Sequence, residues 1–579
     1  MRLNLFDKKN ICLKIFIALT CGLHFSCINA QENNPVAFIS LLENARKATT
    51  DKRWEEALNL WQQATVQNPV NGEYWSNLGS AYYNNKQYDK SIEAYKKQIE
   101  LGWGLTYNAA YNIACCYALS GQKEPALEWL QKAYDMGFVR TAMVQTDTDL
   151  DAIRGEAKFK KLTGTDDVTK MSRTEGWRYD LALIKQEVLR KAFLRRELSL
   201  DEFNKQYTAI YNSIDKKTDQ QIILGMMKLM VTVNDGHSSL FPPAQAAYKL
   251  TLPLQFYFFT EGLYIVAADE KYKHLLGNKV INFGQISVDK VAKTLSPYIN
   301  RDNEIGVVQR LQDFVRHAPM LHALKLIPDP AKVELELMDR AGKISKAIIV
   351  ADTSMPRVDH KSAFPANWVS FHQTLANPVP LYLKNPRTNY WFEKLPDSKI
   401  VYMQFNSVRN DKAESLSAFA ERLMKFTNEN DVEKLVIDLR WNNGGNTMLL
   451  PPFINALIKN EKINKRGNLF VITGRRTFSA AQNLATYLEK QTAATFVGEP
   501  TGSSPNFVGE EDYIMLPYSK VNVNVSDLFW QSSWPGDKRT WIAPALYIPP
   551  TFKAYSANRD EALEAIVNWS KGSTANKTF

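Results

Sequence analysis

The chain is short of cysteine, of long apolar runs and of charge of one sign. Five cysteines in 579 residues are too few for a disulfide framework. Cys12, Cys21 and Cys27 fall in the first thirty residues. Cys115 and Cys116 are adjacent, and a bridge between neighbours is strained. Two buried thiols in a helix are the expectation, with neither a disulfide nor a metal site. Beyond an apolar run at 15–23, no stretch approaches the ~20 residues needed to span a bilayer. Lys and Arg number 71 against 61 Asp and Glu, a net +10. The two signs are interspersed without a basic block, which argues against a nucleic-acid partner. Hydrophobic and charged fractions of 45% and 23% are those of ordinary globular protein. There is material for several domains and no call for disorder.

Residues 1–30 read as a signal peptide. Arg2, Lys8, Lys9 and Lys14 precede the apolar run, and Ile28-Asn29-Ala30 offers a small-residue cleavage site. An exported product, periplasmic or extracellular, is expected. His24-Phe25-Ser26 before Cys27 fits a lipid-anchoring signal poorly.

From 31 to 165 the chain repeats. Ala57, Trp61 and Ala64 recur as Ser91, Tyr95 and Gln98, then as Ala126, Leu130 and Ala133, at offsets of 34 and 35 residues. Trp75, Leu78, Gly79 and Tyr82 have counterparts in Ala110, Ile113, Ala114 and Tyr117. Small residues at fixed places let paired helices approach while aromatics fill the gaps, the signature of the tetratricopeptide repeat (TPR). One unit cannot bury its apolar face alone, so three stacked pairs make a small all-α solenoid. Such a surface suits a protein partner, or it serves as a spacer.

The remainder is organised around 434–505. LVIDLRWNNGGN at 435–446 is a short apolar run that breaks into paired asparagines and glycines. Such a run reads as a buried strand ending in a sharp turn. GNLFVITGRRTFSAAQNLATYLEK at 467–490 repeats the pattern, with a strand over 469–473 and a helix starting near Ser479. ATFVGEPTG at 494–502 supplies a third strand. Strand, helix, strand in this order predicts parallel strands with covering helices. Ser479 then sits beyond a strand's carboxyl end, at the mouth of a helix whose first N–H groups have no internal partners. A serine there is most commonly an N-cap. It is also where a nucleophile would stand, with Gly444, Gly445 and Ala480 as backbone donors to an oxyanion.

IDLRWNNGG at 437–445, TFSAAQ at 477–482 and FVGEPTG at 496–502, in that order, resemble the core of the tail-specific (C-terminal-processing) serine peptidases, which include tricorn-core-like enzymes. The resemblance implies Ser479 as nucleophile and a catalytic core of the ClpP/crotonase-like α/β type. It also implies a general base in the loop VNDGHSS at 233–239, which makes His237 the candidate over His274, His317, His322, His360 and His372. Many relatives use instead a lysine just after the Gly-Glu-x-Thr segment, but Ser503 and Ser504 follow Gly502 here and Lys490 does not match. The family's late acid is matched only loosely: Asp537 is the candidate, Asp560 a weaker one, and Pro544-Ala545 stands where Pro-Asp is expected. Gln482 replaces a common Glu.

The other segments follow. Residues 166–250 read as a helical part ending in the Asp-Gly-His loop. Short β-like runs such as LPLQFYFF, GLYIVAA and KVELELM over 251–355, with a helix at 287–295, suggest a PDZ-like β module. Residues 356–389 are a proline-rich linker and 390–579 the catalytic core, with YIMLPYSKVNVNV at 513–525 alternating like a hairpin. The expectation is a TPR solenoid followed by an α+β serine endopeptidase without cofactor, acting on protein or peptide substrates. The alternative is a catalytically weak or inactive scaffold that binds peptides or partners through the TPR and PDZ-like parts.

Overall fold

The computed structural model describes residues 35–569 except 195–197, 242–249 and 354–366. The expected signal segment, the first part of the expected linker and the last residues of the chain lie outside the described residues. The chain divides into two compact units: 35–138 with 147–159, and 139–146 with the residues from 160 onwards.

The first unit is helical. Pro35–Thr50, Trp54–Gln67, Gly72–Asn84, Tyr88–Glu100, Thr106–Leu119 and Lys123–Asp135 form three consecutive pairs. The recurring positions are those that pack: Ala57, Trp61, Ala64, Ser91, Ala126, Leu130 and Ala133 are all fully buried. Gly79 shows why small residues are needed, since a Cβ there would lie 2.8 Å from the Tyr95 ring. Cys115 and Cys116 are free and buried in one helix, as expected.

The second unit takes in the short helix Thr141–Thr146 and, from 173 onwards, three longer ones, Arg173–Arg190, Leu200–Tyr211 and Asp219–Val231. The first and third start in capping boxes, Ser172 with Glu175 and Thr218 with Gln221. Each box satisfies two otherwise orphaned backbone donors. At the first helix's end, Lys191 is fully buried and donates to Asp512 Oδ2 (2.6 Å) and Val525 O (2.8 Å). This ion pair ties the helix to the expected hairpin, which is Tyr513–Met515 paired with Asn522–Asn524. Ser239–Phe241, just after the Asp-Gly-His loop, adds a third antiparallel strand to that hairpin.

An antiparallel β module follows. Its strands Leu254–Phe259, Gly262–Asp269, Lys279–Phe283, Lys332–Met338 and Ile344–Val350 pair in sequence order. Helix Val288–Leu295 lies where the sequence predicts one, N-capped by Ser287. Trp368–Ser370, expected within a linker, instead pairs with the second strand of this sheet.

The last part is a six-stranded sheet: β1 Tyr390–Lys394, β2 Ile400–Phe405, β3 Lys434–Asp438, β4 Leu469–Thr473, β5 Thr495–Gly498 and β6 Leu546–Tyr547, adjacent in that order. β2 to β6 are parallel, and β1 is an antiparallel edge. Helices α1 Leu416–Glu429, α2 Leu450–Lys459 and α3 Ala480–Gln491 connect the parallel strands. Their apolar faces pack on Val401, Met403, Leu435, Ile437, Leu469 and Val471. Tyr402, Val436, Phe470 and Ile472 point to the other face, where the closing helix Glu561–Val567 places Ala562 and Ile566. Cover on both faces is why these strands read as unbroken apolar runs. Among the described residues, no helix is long and apolar enough to cross a membrane.

Candidate active site

Ser479 stands between β4 and α3. After Thr473 the chain turns through 474–478 and is tied to the exit of β3. Thr477 Oγ1 accepts from Gly474 N (3.1 Å) and donates to Leu439 O (3.0 Å), while Phe478 N donates to Asn442 O (3.3 Å). Held in this way, Ser479 adopts φ +55°, ψ −128°. A residue with a Cβ in such a sparsely populated region is strained by about 1–3 kcal/mol. An N-cap serine has extended backbone and accepts from the second or third helical N–H. Ser479 has neither property, and its side chain makes no capping hydrogen bond. The bland reading of this serine fails on geometry.

Of two glycines at the β3 exit, the first presses on it. Gly444 has φ +107°, and a Cβ there would lie 2.7 Å from Ser479 Cβ and 2.9 Å from Ala480 N. Glycine keeps that space empty beside the Ala480 amide. Gly445, at φ +140°, packs on Val408 O, which a Cβ would meet at 2.2 Å. One expected oxyanion donor is corrected here: the Gly444 N–H is already given to Asn442 Oδ1 at 2.9 Å. The Ala480 and Gly445 amides donate to nothing among the described residues.

His237 is brought to the same place from 242 residues away in sequence. Its ring is sandwiched between Phe478, the neighbour of Ser479, at 4.4 Å between centroids, and Phe507 at 5.3 Å. Both ring nitrogens are shut off from solvent and lack a well-formed hydrogen bond, although the Val508 backbone acts weakly on the ring. Burial pushes its pKa down to about 4, partly opposed by Asp235 and reinforced by Arg310. The imidazole is therefore neutral at physiological pH and able to accept a proton. Among the described residues, no hydrogen bond joins it to Ser479.

The histidine loop is fixed by its own Asp235 and by residues distant in sequence, Asp302, Arg310 and Asn524. Asp235 Oδ1 accepts from His237 N (3.0 Å) and Ser238 N. Asp302 accepts from Gly236 N (2.6 Å) and from Ser503 Oγ. Arg310 Nη2 donates to Gly236 O at 2.5 Å, and Asn524 Nδ2 to His237 O at 2.9 Å. A Cβ on Gly236 would stand 3.0 Å from both Asp302 and Phe478. Burial lifts the Asp302 carboxyl to about 6. Ser503, just after Gly502, is taken up by Asp302. Lys490 is engaged elsewhere, with Ser532 O at 2.9 Å and the Trp534 ring at 4.3 Å.

Asp537 is not the histidine's acid. Its carboxylate accepts from Ser533 Oγ (2.6 Å) and from Arg539 Nε (3.1 Å) and Nη2 (2.8 Å), and Arg539 holds it well below the usual carboxylate range. Asp560 is no better placed, being paired with Arg440 at 2.8 Å. Gln482 is fully buried in α3, donating to Thr486 Oγ1 at 3.3 Å. One group departs from the expectation of no metal-capable cluster: ligand atoms of Cys115, Asp147 and Asp149 lie within 4.8 Å of one another. Burial pushes the Cys115 thiol well up, and the Tyr111 and Tyr83 hydroxyls already donate to the two carboxylates, which makes it a poor ligand set.

Residues 71–137 match the tetratricopeptide repeat family model. No curated protein matches the chain. Among solved structures, mature CPAF complexed with lactacystin is 11% identical over 68% of this chain and 97% of its own, with a TM-score of 0.49. The photosystem II D1 C-terminal processing protease is 13% identical over 66% and 94%, with a TM-score of 0.32. An S41 protease of Bacteroides fragilis is 10% identical over 60% and 89%, with a TM-score of 0.27. The chain thus has TPR helices in its first unit, and its solved structural neighbours include peptidases.

Proposed function

We propose that the chain is a serine peptidase, exported from the cell, that hydrolyses peptide bonds of protein or peptide substrates. The observation that carries this reading is Ser479 itself. It is held in a strained backbone conformation, uncapped, against a glycine that keeps the Ala480 amide clear. In the reaction, Ser479 Oγ bonds to the peptide carbonyl carbon while His237 takes the hydroxyl proton. The Ala480 and Gly445 amides hold the oxyanion, each such donor contributing about 3 kcal/mol. His237 returns the proton to the leaving amine as the C–N bond breaks, and water then releases the acyl group by the same steps in reverse. Catalytic hydrogen bonds are often open without substrate, so the unbonded imidazole is compatible with this role.

Asp235 and Asp302 act on the loop backbone and Arg310 on its carbonyl, and together they position His237 without accepting from its ring. Export rests on residues 1–30 alone. The β module is assigned to substrate positioning and the TPR unit to a protein partner, readings supported by sequence pattern. One observation favours the alternative, a peptide-binding scaffold with little activity: both ring nitrogens of His237 lie unbonded between two phenylalanines.

The test is covalent labelling of purified protein by a fluorophosphonate, beside Ser479→Ala and His237→Ala with folding checked by circular dichroism. Labelling lost in Ser479→Ala and at least 100-fold slower in His237→Ala supports the pair. An unlabelled wild type would leave the scaffold reading standing.

A further inference from the structure

Residues 139–146 lie in sequence between two stretches of the first unit, 35–138 and 147–159, yet they pack as part of the second. Their one helix, Thr141–Thr146, has six residues and is too short to hold itself together in water. Its place is therefore set by what it docks against. Thr141 and Val144 are fully buried. Thr141 Oγ1 donates to Glu187 Oε2 (2.9 Å) and accepts from Arg190 Nη1 (2.6 Å). A hydroxyl does both at once, and a methyl group in its place does neither. On either side of Thr141, the Ala142 N–H donates to Asp512 Oδ1 (3.3 Å) and Arg140 Nε faces Asp527 Oδ2 (3.5 Å). Arg140 thereby joins Arg190 and Lys191 in balancing Glu187, Asp512 and Asp527.

From Asp512 the hydrogen bonds run on to the histidine loop. Asp512 N donates to Asn524 Oδ1 (2.7 Å), and Asn524 Nδ2 donates to His237 O (2.9 Å). A second route starts at the same carboxylate. Lys191 Nζ, bonded to Asp512 Oδ2, also donates to Val525 O (2.8 Å), and the next residue, Ser526, donates its N–H to Ser238 Oγ (3.0 Å). Asp512, Asn524, Lys191 and Ser238 are all buried. Polar groups withdrawn from water in this way are costly to leave unmade, so the links hold one another in place.

We infer that residues 139–146 are a positioning strap for His237: docked, they fix Asp512, and Asp512 through Asn524 fixes the backbone of the histidine. The inference rests on the reading of His237 as general base and concerns how that residue is placed. Both ends of the strap continue into the first unit, at 138 and 147, so the repeats and the histidine loop are joined by the chain itself.

Coupling along such a path is measured by loosening one end and reading the other. Amide hydrogen exchange of the full chain reads the loop at Gly236, His237 and Ser238, whose N–H groups are bonded to Asp302 and Asp235. Thr141→Val should speed exchange there about tenfold while 469–473 in β4 keeps its protection. It should also slow fluorophosphonate labelling of Ser479 about tenfold. Thr141→Ser restores the hydroxyl and should return both to within about threefold of wild type. Arg140→Glu reverses a charge beside Asp527 on a side chain that is 60% exposed, where folding is not at stake, and should act in the same direction as Thr141→Val. In an Asn524→Leu background, Thr141→Val should slow labelling no further, because the link it acts through is gone. The inference is overturned if loop exchange in folded Thr141→Val and Arg140→Glu stays within about twofold of wild type. It also fails if 469–473 exchanges faster in step with the loop, if Thr141→Ser does not restore the loop, or if the Thr141 and Asn524 effects on labelling add. Loop exchange that responds as expected in a protein whose wild type is never labelled upholds the strap and sinks the catalytic reading instead.

Discussion

Gly444→Ala tests whether the space beside Ser479 is a reacting centre or only a tight turn. The added methyl would lie 2.7 Å from Ser479 Cβ and 2.9 Å from Ala480 N. Neither contact is tolerated, so the serine or the β3 exit must move. Two costs arise and they are separable. The backbone cost comes from φ +107° and amounts to about 1–2 kcal/mol for a residue with a Cβ. The chemical cost comes from obstructing the Ala480 donor, about 3 kcal/mol, and from displacing the nucleophile, where about 1 Å is worth on the order of 100-fold. The expected result is a fall of between about 100-fold and 10,000-fold in labelling rate, with a melting temperature lowered by only several degrees. Gly342→Ala is the control, because Gly342 has φ +85° with nothing within 4 Å. It should carry a backbone cost of the same size and leave labelling unchanged. If Gly444→Ala labels within threefold of wild type, the empty space is not where a substrate carbonyl is received, and the assignment of the Ala480 amide falls.

Two further outcomes follow from buried charge. His237 has its pKa lowered to about 4 and Asp302 has its pKa raised to about 6. The neutral histidine's contribution is complete above its unfolded value near 6.5 and is lost as pH falls toward 4. The protonated Asp302 contributes fully below about 3.8, and this is lost as pH rises through 6. The two slopes oppose each other between pH 4 and 6. Asp302→Asn should therefore expose the histidine slope, a stability loss of roughly 3 kcal/mol from pH 7 to 4, measured by urea unfolding against the Asp302→Asn/His237→Gln double variant. A difference below about 1 kcal/mol would mean that His237 is not held neutral by burial. Lys191→Met leaves Asp512 unpaired beside the hairpin and weakens the balance at Glu187. Removing one partner of a buried pair costs about 3–5 kcal/mol. Equilibrium unfolding that moves by less than 1 kcal/mol would show the pair to be hydrated.

What could be read from the sequence was whatever the physics makes local or periodic. Trp61, Tyr95 and Leu130 are buried in successive helix pairs because each repeat presents the same face to its neighbour. That recurrence is a sequence signal. The parallel strands were legible for the opposite reason: covered on both faces, 435–438 and 469–473 have no polar alternation to confuse them. β1 was missed because YWFEK at an edge is only partly buried and carries no such run. Within the site, Ser479 and the Gly-Gly turn could be located because a sharp turn after a buried strand needs particular residues. The orienting groups could not. Asp302 reaches Gly236 across 66 positions and Ser503 across 201. A lone Asp or Ser in a loop carries no mark of its distant partner. Asp537 misled for the same reason: its position late in the chain matched an expectation, but Arg539, two residues on, claims its carboxylate. An acid at the right place in sequence is available to a histidine only if nothing nearer neutralises it, and that competition is decided in three dimensions.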